Sequence, residues 1–324
     1  MLPDDVPDPA AVLRAFALTG DVVSYEPVPG GWSNTVLRLG TTEADYAVKV
    51  VRNAWGEPRW RDWLAQGWRL ERAAHATGLA VPEPVTAPDG SVTLDVAAAS
   101  GPVPVRVHRW VEGARTVPRE PVDVPLARWV GGALAHVHGL ALVASDPTVY
   151  AGRAGLTRAD VWPDLVARSA GTPWLDSLVA AGPAARRASD LLADAEPADV
   201  VLCHGDVDQK NLLLGPDGPL LCDWDVVLPM PARHDLAHAA VTMAGWREPA
   251  AARAVVDGHA EATGARLALG PHDLGPALAS RLGWVRFSVD RALAGGDPGD
   301  LVAVLDDLPR RVEVAENLPD WLTA

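Results

Sequence analysis

Over the first hundred residues, apolar and polar positions alternate in short runs: "DVVSYEPV", "TVLRL" and "YAVKVVR", separated by a Gly-Gly pair and by "GTTEAD". A period of two, broken by turn residues, predicts β-strands. After Asn53 the spacing changes. Trp60, Leu64, Trp68, Glu71 and His75 recur every three or four residues, which predicts a helix that stops at Gly78. Strand-like runs return in "SVTLDVA" and "VPVRVHRWVEG", and beyond them helical spacing dominates, as in "PLARWVGGALAHVHGLALV" and "GPALASRLGWVRFSVDRALAG". No internal repeat is present. At 324 residues the chain exceeds one ordinary core, so two lobes are expected. The pattern predicts an α+β fold with a small β-rich N-lobe over residues 1–106, a hinge at 107–112, and a larger, mostly helical C-lobe over 113–324.

One later stretch departs from the helical pattern. In "NLLLGPDGPLLCD" two apolar runs flank Gly215-Pro216-Asp217-Gly218, a strong turn signal, so the segment predicts a β-hairpin. Folding about that turn sets Asn211 near Cys222 and Asp223, since cross-strand Cβ atoms lie roughly 5 Å apart. An amide oxygen and a carboxylate suit Mg²⁺, which takes one or two protein carboxylates and completes its shell with water and phosphate oxygens. A phosphate-bearing cosubstrate is implied. Asp206, in the preceding "CHGDV" segment, is placed to accept a hydroxyl proton beside such a metal.

Charge and composition narrow the partners. The net charge of −14 and the lack of a basic run argue against nucleic acid, and they favour a cationic ligand, although acidity serves solubility equally well. Only Lys49 and Lys210 are lysines among 28 basic residues, so each stands where a compact ammonium differs from the planar fork of arginine. The segment "MLPDDVPDPAAVLRAF" has neither a basic n-region nor an apolar h-region, and no run reaches membrane-span length, so a cytoplasmic protein with no membrane partner is expected. Cys203 and Cys222 are too few for a disulfide framework and read as core thiols. His234 and His238 have zinc-like spacing without the glutamate of HExxH; His136 and His138 face different directions; most of the 13 tryptophans sit at packing spacing.

"HGDVDQKN" and "CDWD" together resemble the catalytic loop and metal-binding segment of the aminoglycoside phosphotransferase and choline kinase family, whose fold is the bilobal protein-kinase-like fold. The resemblance implies Asp206 as catalytic base and Asn211 and Asp223 as magnesium ligands. Upstream, "YEPVPGGWSNTVLRL" resembles the family's phosphate-covering turn, with Gly30, Gly31, Ser33 and Asn34 as nucleotide contacts. "YAVKV" makes Lys49 the lysine that holds the α- and β-phosphates. Glu71, about one turn later than the family's glutamate, is the expected partner of Lys49, and backbone groups around His108 to Trp110 are expected to meet the adenine edge. Lys210 would face the γ-phosphate or pair with Asp208. Asp235 in "RHDLAH" resembles an aspartate that braces the catalytic region.

The expectation is an ATP–Mg²⁺-dependent phosphotransferase acting on a hydroxyl of a small, cationic molecule, possibilities being an aminoglycoside or related antibiotic, with the protein a monomer or homodimer. The acids Glu112, Asp160, Asp164, Asp176 and Asp290 fall in regions this fold assigns to the acceptor. Two alternatives stand beside it: a kinase of a metabolite such as choline, homoserine or an amino sugar, and a non-catalytic nucleotide-binding regulator on the same fold. A metal-dependent hydrolase would use similar acids but has no need of the glycine turn and Lys49.

Overall fold

A computed structural model describes residues 3–29, 34–53, 56–146, 148, 157–192 and 199–323. In chain order, α1 is Pro9–Phe16, β1 Val22–Val28, β2 Thr35–Thr41, β3 Asp45–Val50, α2 Trp60–Ala76, β4 Leu94–Ala98, β5 Gly101–Arg109 and β6 Arg115–Thr116. Then come α3 Val124–Gly139, α4 Trp162–Arg168, α5 Leu175–Asp190, β7 Val200–Cys203, β8 Leu212–Gly215, β9 Gly218–Leu221 and β10 Leu228–Pro231. The chain ends in α6 Ala232–Met243, α7 Pro249–Thr263, α8 Gly275–Leu293, α9 Leu301–Glu316 and α10 Leu318–Thr323. The strands foreseen from period-two alternation and the helices foreseen from three-four spacing are thus the elements that form.

Two compact units emerge: Met1–Thr116 with Leu212–Asp225, and Val117–Asn211 with Val226–Ala324. The sequence suggested a single join near residues 107–113, whereas the chain changes unit three times. The hairpin joins the first unit because β8 pairs with β6, and because the Leu221 amide donates to the Ala80 carbonyl at 3.0 Å.

In the first unit the main sheet is antiparallel, in the order β1-β2-β3-β5-β4. One face supplies the core: Leu37 and Leu39, Tyr46, Val48 and Val50, and Val105 and Val107 alternate inward with Val12 and Phe16 of α1. Period two then puts Lys49 and Arg106 on the opposite face, where they are direct cross-strand partners. The buried side of α2 is Trp63, Leu64, Gly67, Trp68, Leu70, Glu71 and Ala74. His75, assigned to that stripe from the sequence, is exposed, since a 3.6-residue period drifts away from strict i+4 steps.

The second unit is mainly helical. Helices α3 and α7 touch backbone to backbone: a Cβ on Gly131 would lie 2.0 Å from the Val255 carbonyl oxygen, and one on Gly258 would lie 2.0 Å from that of Arg128. Strands β7 and β10 form a short antiparallel ladder, Cys203 opposite Leu228, and the "HGD" segment leaves its end. Among the described residues, no helix is long and apolar enough to cross a membrane.

Candidate active site

In the first unit Lys49 projects from β3 toward the end of the hairpin. Its Nζ lies 2.7 Å from Asp223 Oδ1 and 2.5 Å from Asp225 Oδ2. Burial alone would lower the Lys49 pKa, but the two carboxylates outweigh it and hold the ammonium above the usual lysine range. Asp223 follows β9 with a left-handed φ of 65°, a conformation that aspartate tolerates better than most residues, and its side chain is 41% exposed. Asp225 is only 9% exposed, and its Oδ1 is buried with no hydrogen-bond partner among the described residues. A buried carboxylate oxygen without a donor, two residues from an exposed carboxylate, fits a hard divalent cation.

Glu71 does not serve as the partner of Lys49. Its carboxylate is paired with the Arg106 guanidinium and lies 3.0 Å from His108 Nε2. Arg106 also stacks on Trp68, 4.8 Å from the ring centroid. The cause is the register: Arg106 stands beside Lys49 on one sheet face, and Glu71 meets the arginine, which offers two-point geometry and is held by the ring. Burial would raise the Glu71 pKa, but Arg106 and His108 bring it down to about 2.

Two further nucleotide contacts read differently in three dimensions. The Asn34 amide is committed within the protein: Nδ2 donates to Asp225 Oδ2 at 2.7 Å, and Oδ1 accepts from the Arg52 amide at 2.9 Å. It braces the lysine's carboxylate, with one hydrogen of Nδ2 and one lone pair of Oδ1 committed within the protein. At the expected adenine edge, the Arg109 amide donates to the Glu83 carbonyl at 2.9 Å and the Trp110 amide to the Asp45 carbonyl at 3.0 Å. The His108 side chain is engaged by Glu71, and the Trp110 ring lies under Arg38 at 4.8 Å. Gly30, Gly31 and Ser33 lie outside the described residues.

In the second unit, the segment after β7 turns at Gly205, with φ 77°, where a Cβ would lie 2.6 Å from the Val226 carbonyl oxygen. Only glycine meets both conditions. The turn presents Asp206, whose Oδ2 accepts from Asn211 Nδ2 at 3.0 Å and lies 3.0 Å from Lys210 Nζ. Asn211 Nδ2 also donates to the Asp206 carbonyl at 2.7 Å, and no hydrogen bond to the asparagine's Oδ1 is found among the described residues. Lys210 was expected either at a phosphate or on Asp208. Instead its ammonium pairs with Asp206, while its backbone amide donates to Asp208 Oδ1 at 3.1 Å. The loop is anchored by Gln209, whose Nε2 donates to the Thr242 carbonyl at 2.8 Å. The Gly205 amide donates to Asp235 Oδ1 at 3.1 Å.

Asp225, Arg106 and His259 were not among the residues singled out from the sequence. The repeated acid in "CDWD" was a readable signal for Asp225. No local signal exists for Arg106 or His259, since their partners lie 35 and 121 residues away.

The phosphotransferase enzyme family model matches residues 24–270, more than half of the chain. No curated protein matches the sequence. Among solved structures, a spectinomycin phosphotransferase in complex with ADP and spectinomycin has 13% identity and a TM-score of 0.63, covering 91% of this chain and 93% of its own. A choline/ethanolamine kinase family protein from Mesorhizobium loti has 17% identity and a TM-score of 0.57, with coverage of 97% and 95%. A microcompartment-associated aminopropanol kinase has 17% identity and a TM-score of 0.64, with coverage of 98% and 99%. At these identities the likeness shows the fold, a β-sheet N-terminal region followed by a helical C-terminal one, and the family match adds the chemistry. The chain belongs to the phosphotransferase enzyme family.

Proposed function

We propose that this kinase transfers the γ-phosphoryl group of Mg²⁺–ATP to a hydroxyl of a small cationic molecule of the aminoglycoside or related antibiotic class, with Asp206 as the base. The observation that carries the reading is the state of the Asp206 carboxylate. Oδ2 is held by Asn211 and Lys210, and Oδ1 accepts nothing among the described residues, so one oxygen is fixed and the other is available to a hydroxyl. Asp206 orients that hydroxyl and takes its proton as the new O–P bond forms and the bond to the ADP oxygen breaks. Asn211 and Asp223 would each offer Mg²⁺ an oxygen ligand, and Asp225 would offer a third. Mg²⁺–ATP supplies the phosphoryl group and the charge neutralisation of its leaving side. Lys49, kept charged by Asp223 and Asp225, offers its ammonium to the phosphates, and Lys210 steadies the base rather than the phosphate.

The net charge of −14 supports a cationic acceptor. So do the amine-bearing compounds named for the choline/ethanolamine and aminopropanol kinases. A second reading, a metabolite with a single ammonium group such as choline, homoserine or an amino sugar, is favoured by the fate of the acids considered for the acceptor. Glu112 is paired with Arg38, and Asp164 and Asp290 are both paired with Arg168, so these three do not form a free anionic surface for a polycation. ATP consumption should be followed across aminoglycosides, macrolides, choline, homoserine and amino sugars, with mass spectrometry for an added phosphate. Phosphorylation of a polyamine antibiotic supports the first reading and of a mono-amine the second. Efficient phosphorylation only of acceptors that carry no amine overturns both, and tight ATP binding without any transfer would point to a regulator.

A further inference from the structure

Behind the catalytic loop lies a row of buried polar groups that phosphoryl transfer does not itself use. His259 Nε2 on α7 lies 3.4 Å from His138 Nδ1 on α3, and His138 Nε2 lies 3.1 Å from Asp235 Oδ2 on α6. The other oxygen of Asp235 accepts from the Gly205 amide at 3.1 Å, and Gly205 is the residue before Asp206. His259 is 4% exposed, and the side chains of His138 and Asp235 are 6% and 1% exposed. The glycine crossing of α3 and α7 makes the row possible: Gly131 and His138 lie seven residues apart on one helix face, and His259 directly follows Gly258.

The hydrogen-bond network assigns the protons. Asp235 offers only lone pairs, so the hydrogen between it and His138 belongs to His138 Nε2. Between the rings His259 Nε2 is the donor and His138 Nδ1 the acceptor, because the reverse would strand an N–H at the buried His259 Nδ1, which has no partner among the described residues. Burial, reinforced by His138, lowers the His259 pKa to about 4, which keeps this ring neutral. His259 Nδ1 is left buried without a partner, a lone pair rather than a stranded N–H. Other titratable groups border the row. Cys203 on β7 has its ligand atom within 4.8 Å of those of His138 and Asp235. Burial and Asp235 push its thiol well up, and it donates to the Met230 carbonyl at 3.5 Å, so it stays a thiol and leaves the row to hydrogen bonds. His204 and His238 also lie within electrostatic range of Asp235.

We infer that His259 and His138 are positioning residues for the base. Together they fix the rotamer of Asp235, Asp235 fixes the Gly205 amide, and the Gly205 turn sets the direction of Asp206. A carboxylate with one bonded partner can rotate about its χ2; with both oxygens bonded it cannot do so without breaking a buried hydrogen bond. The inference rests on Asp206 being the base, so the test reads Gly205 separately from turnover.

Amide hydrogen exchange of Gly205, measured by NMR relative to the Leu202 amide of the same unit, should be at least about tenfold faster in His259→Leu than in the parent. It should return toward the parent rate in His259→Gln, whose Nε2 can still donate to His138. Val285→Ala, a core change remote from the row, controls for general loosening and should leave the Gly205 to Leu202 ratio unchanged. Unchanged Gly205 exchange in His259→Leu overturns the inference, as does a ratio that rises equally in Val285→Ala. Should His259→Leu fail to fold, His259→Gln and His138→Met are compared: the first should keep Gly205 protected and the second, which can hydrogen-bond at neither end, should not, and equal protection overturns the inference. An active Asp206→Asn protein would refute the base while leaving these exchange results standing, so the two failures are distinguishable.

Discussion

Lys49 and Asp206, the two residues to which the proposal gives the phosphates and the base, are each held by two protein groups. Asp206 has one oxygen committed to Asn211 and Lys210, and the other has no partner among the described residues. Asp206→Asn should therefore lower turnover by about 10² to 10⁴ while leaving the affinity for an ATP analogue within a few-fold of the parent. Paired kinetics and calorimetry check this, and normal turnover with a good acceptor would remove Asp206 from its role. Lys49 is shared between Asp223 and Asp225. Lys49→Ala and Asp223→Ala should both weaken binding of a non-hydrolysable analogue, but only the second should change its Mg²⁺ dependence. Titration at several Mg²⁺ concentrations separates them, and an identical dependence in both variants and the parent would exclude Asp223 as a ligand. The "HGD", asparagine and "CDWD" positions were legible because they lie within one short stretch. The pairing of Lys49 with Asp225 was not, because an aspartate's partner 176 residues away is set by register and not by neighbours in sequence.

At the scale of elements, α2 is joined to β5 by a buried ion pair, Glu71 with Arg106 and His108. Removing one partner of such a pair strands the other, so Glu71→Gln should cost about 3–5 kcal/mol of stability in urea unfolding. The pair also gives the fold an acid limit. With the Glu71 pKa lowered from 4.5 to about 2, the unfolded chain holds more protons than the folded one between those values. This contribution is therefore fully present above about pH 4.5 and is lost as pH falls toward 2. Glu71→Gln should flatten that part of the pH–stability curve, and an unaltered slope would count against the pair. The α3–α7 crossing is the second decisive contact. Gly258→Ala would drive a methyl group into the Arg128 carbonyl and should destabilise by about 1–3 kcal/mol, detectable as a lower thermal midpoint. Existence and type of these helices follow from spacing; the glycines that let two of them touch look in sequence like ordinary interruptions of a helical run.

For the whole molecule, the hairpin over Leu212–Asp225 belongs to the first unit while Asp206 to Asn211 belong to the second, so the chain passes between units on either side of it. A ligand that binds only the folded protein adds RT ln(1 + [L]/Kd), about 2.7 kcal/mol at a hundredfold excess over Kd. Mg²⁺ with an ATP analogue should accordingly raise the thermal midpoint, the rise shrinking in Lys49→Ala; no rise at saturating analogue would contradict the nucleotide assignment. By itself the sequence determined the β-rich and helical regions and the hairpin, and it pointed to the acids, amide and lysines proposed for the site, because periodicity, turn chemistry and short motifs are local properties. The tertiary structure alone decided which unit owns the hairpin, that Arg106 rather than Lys49 takes Glu71, that Asn34 braces Asp225, and that His259 stands behind the catalytic loop. Each of these depends on strand register or on a close approach of helices, and those are settled by the packing of segments far apart in the chain.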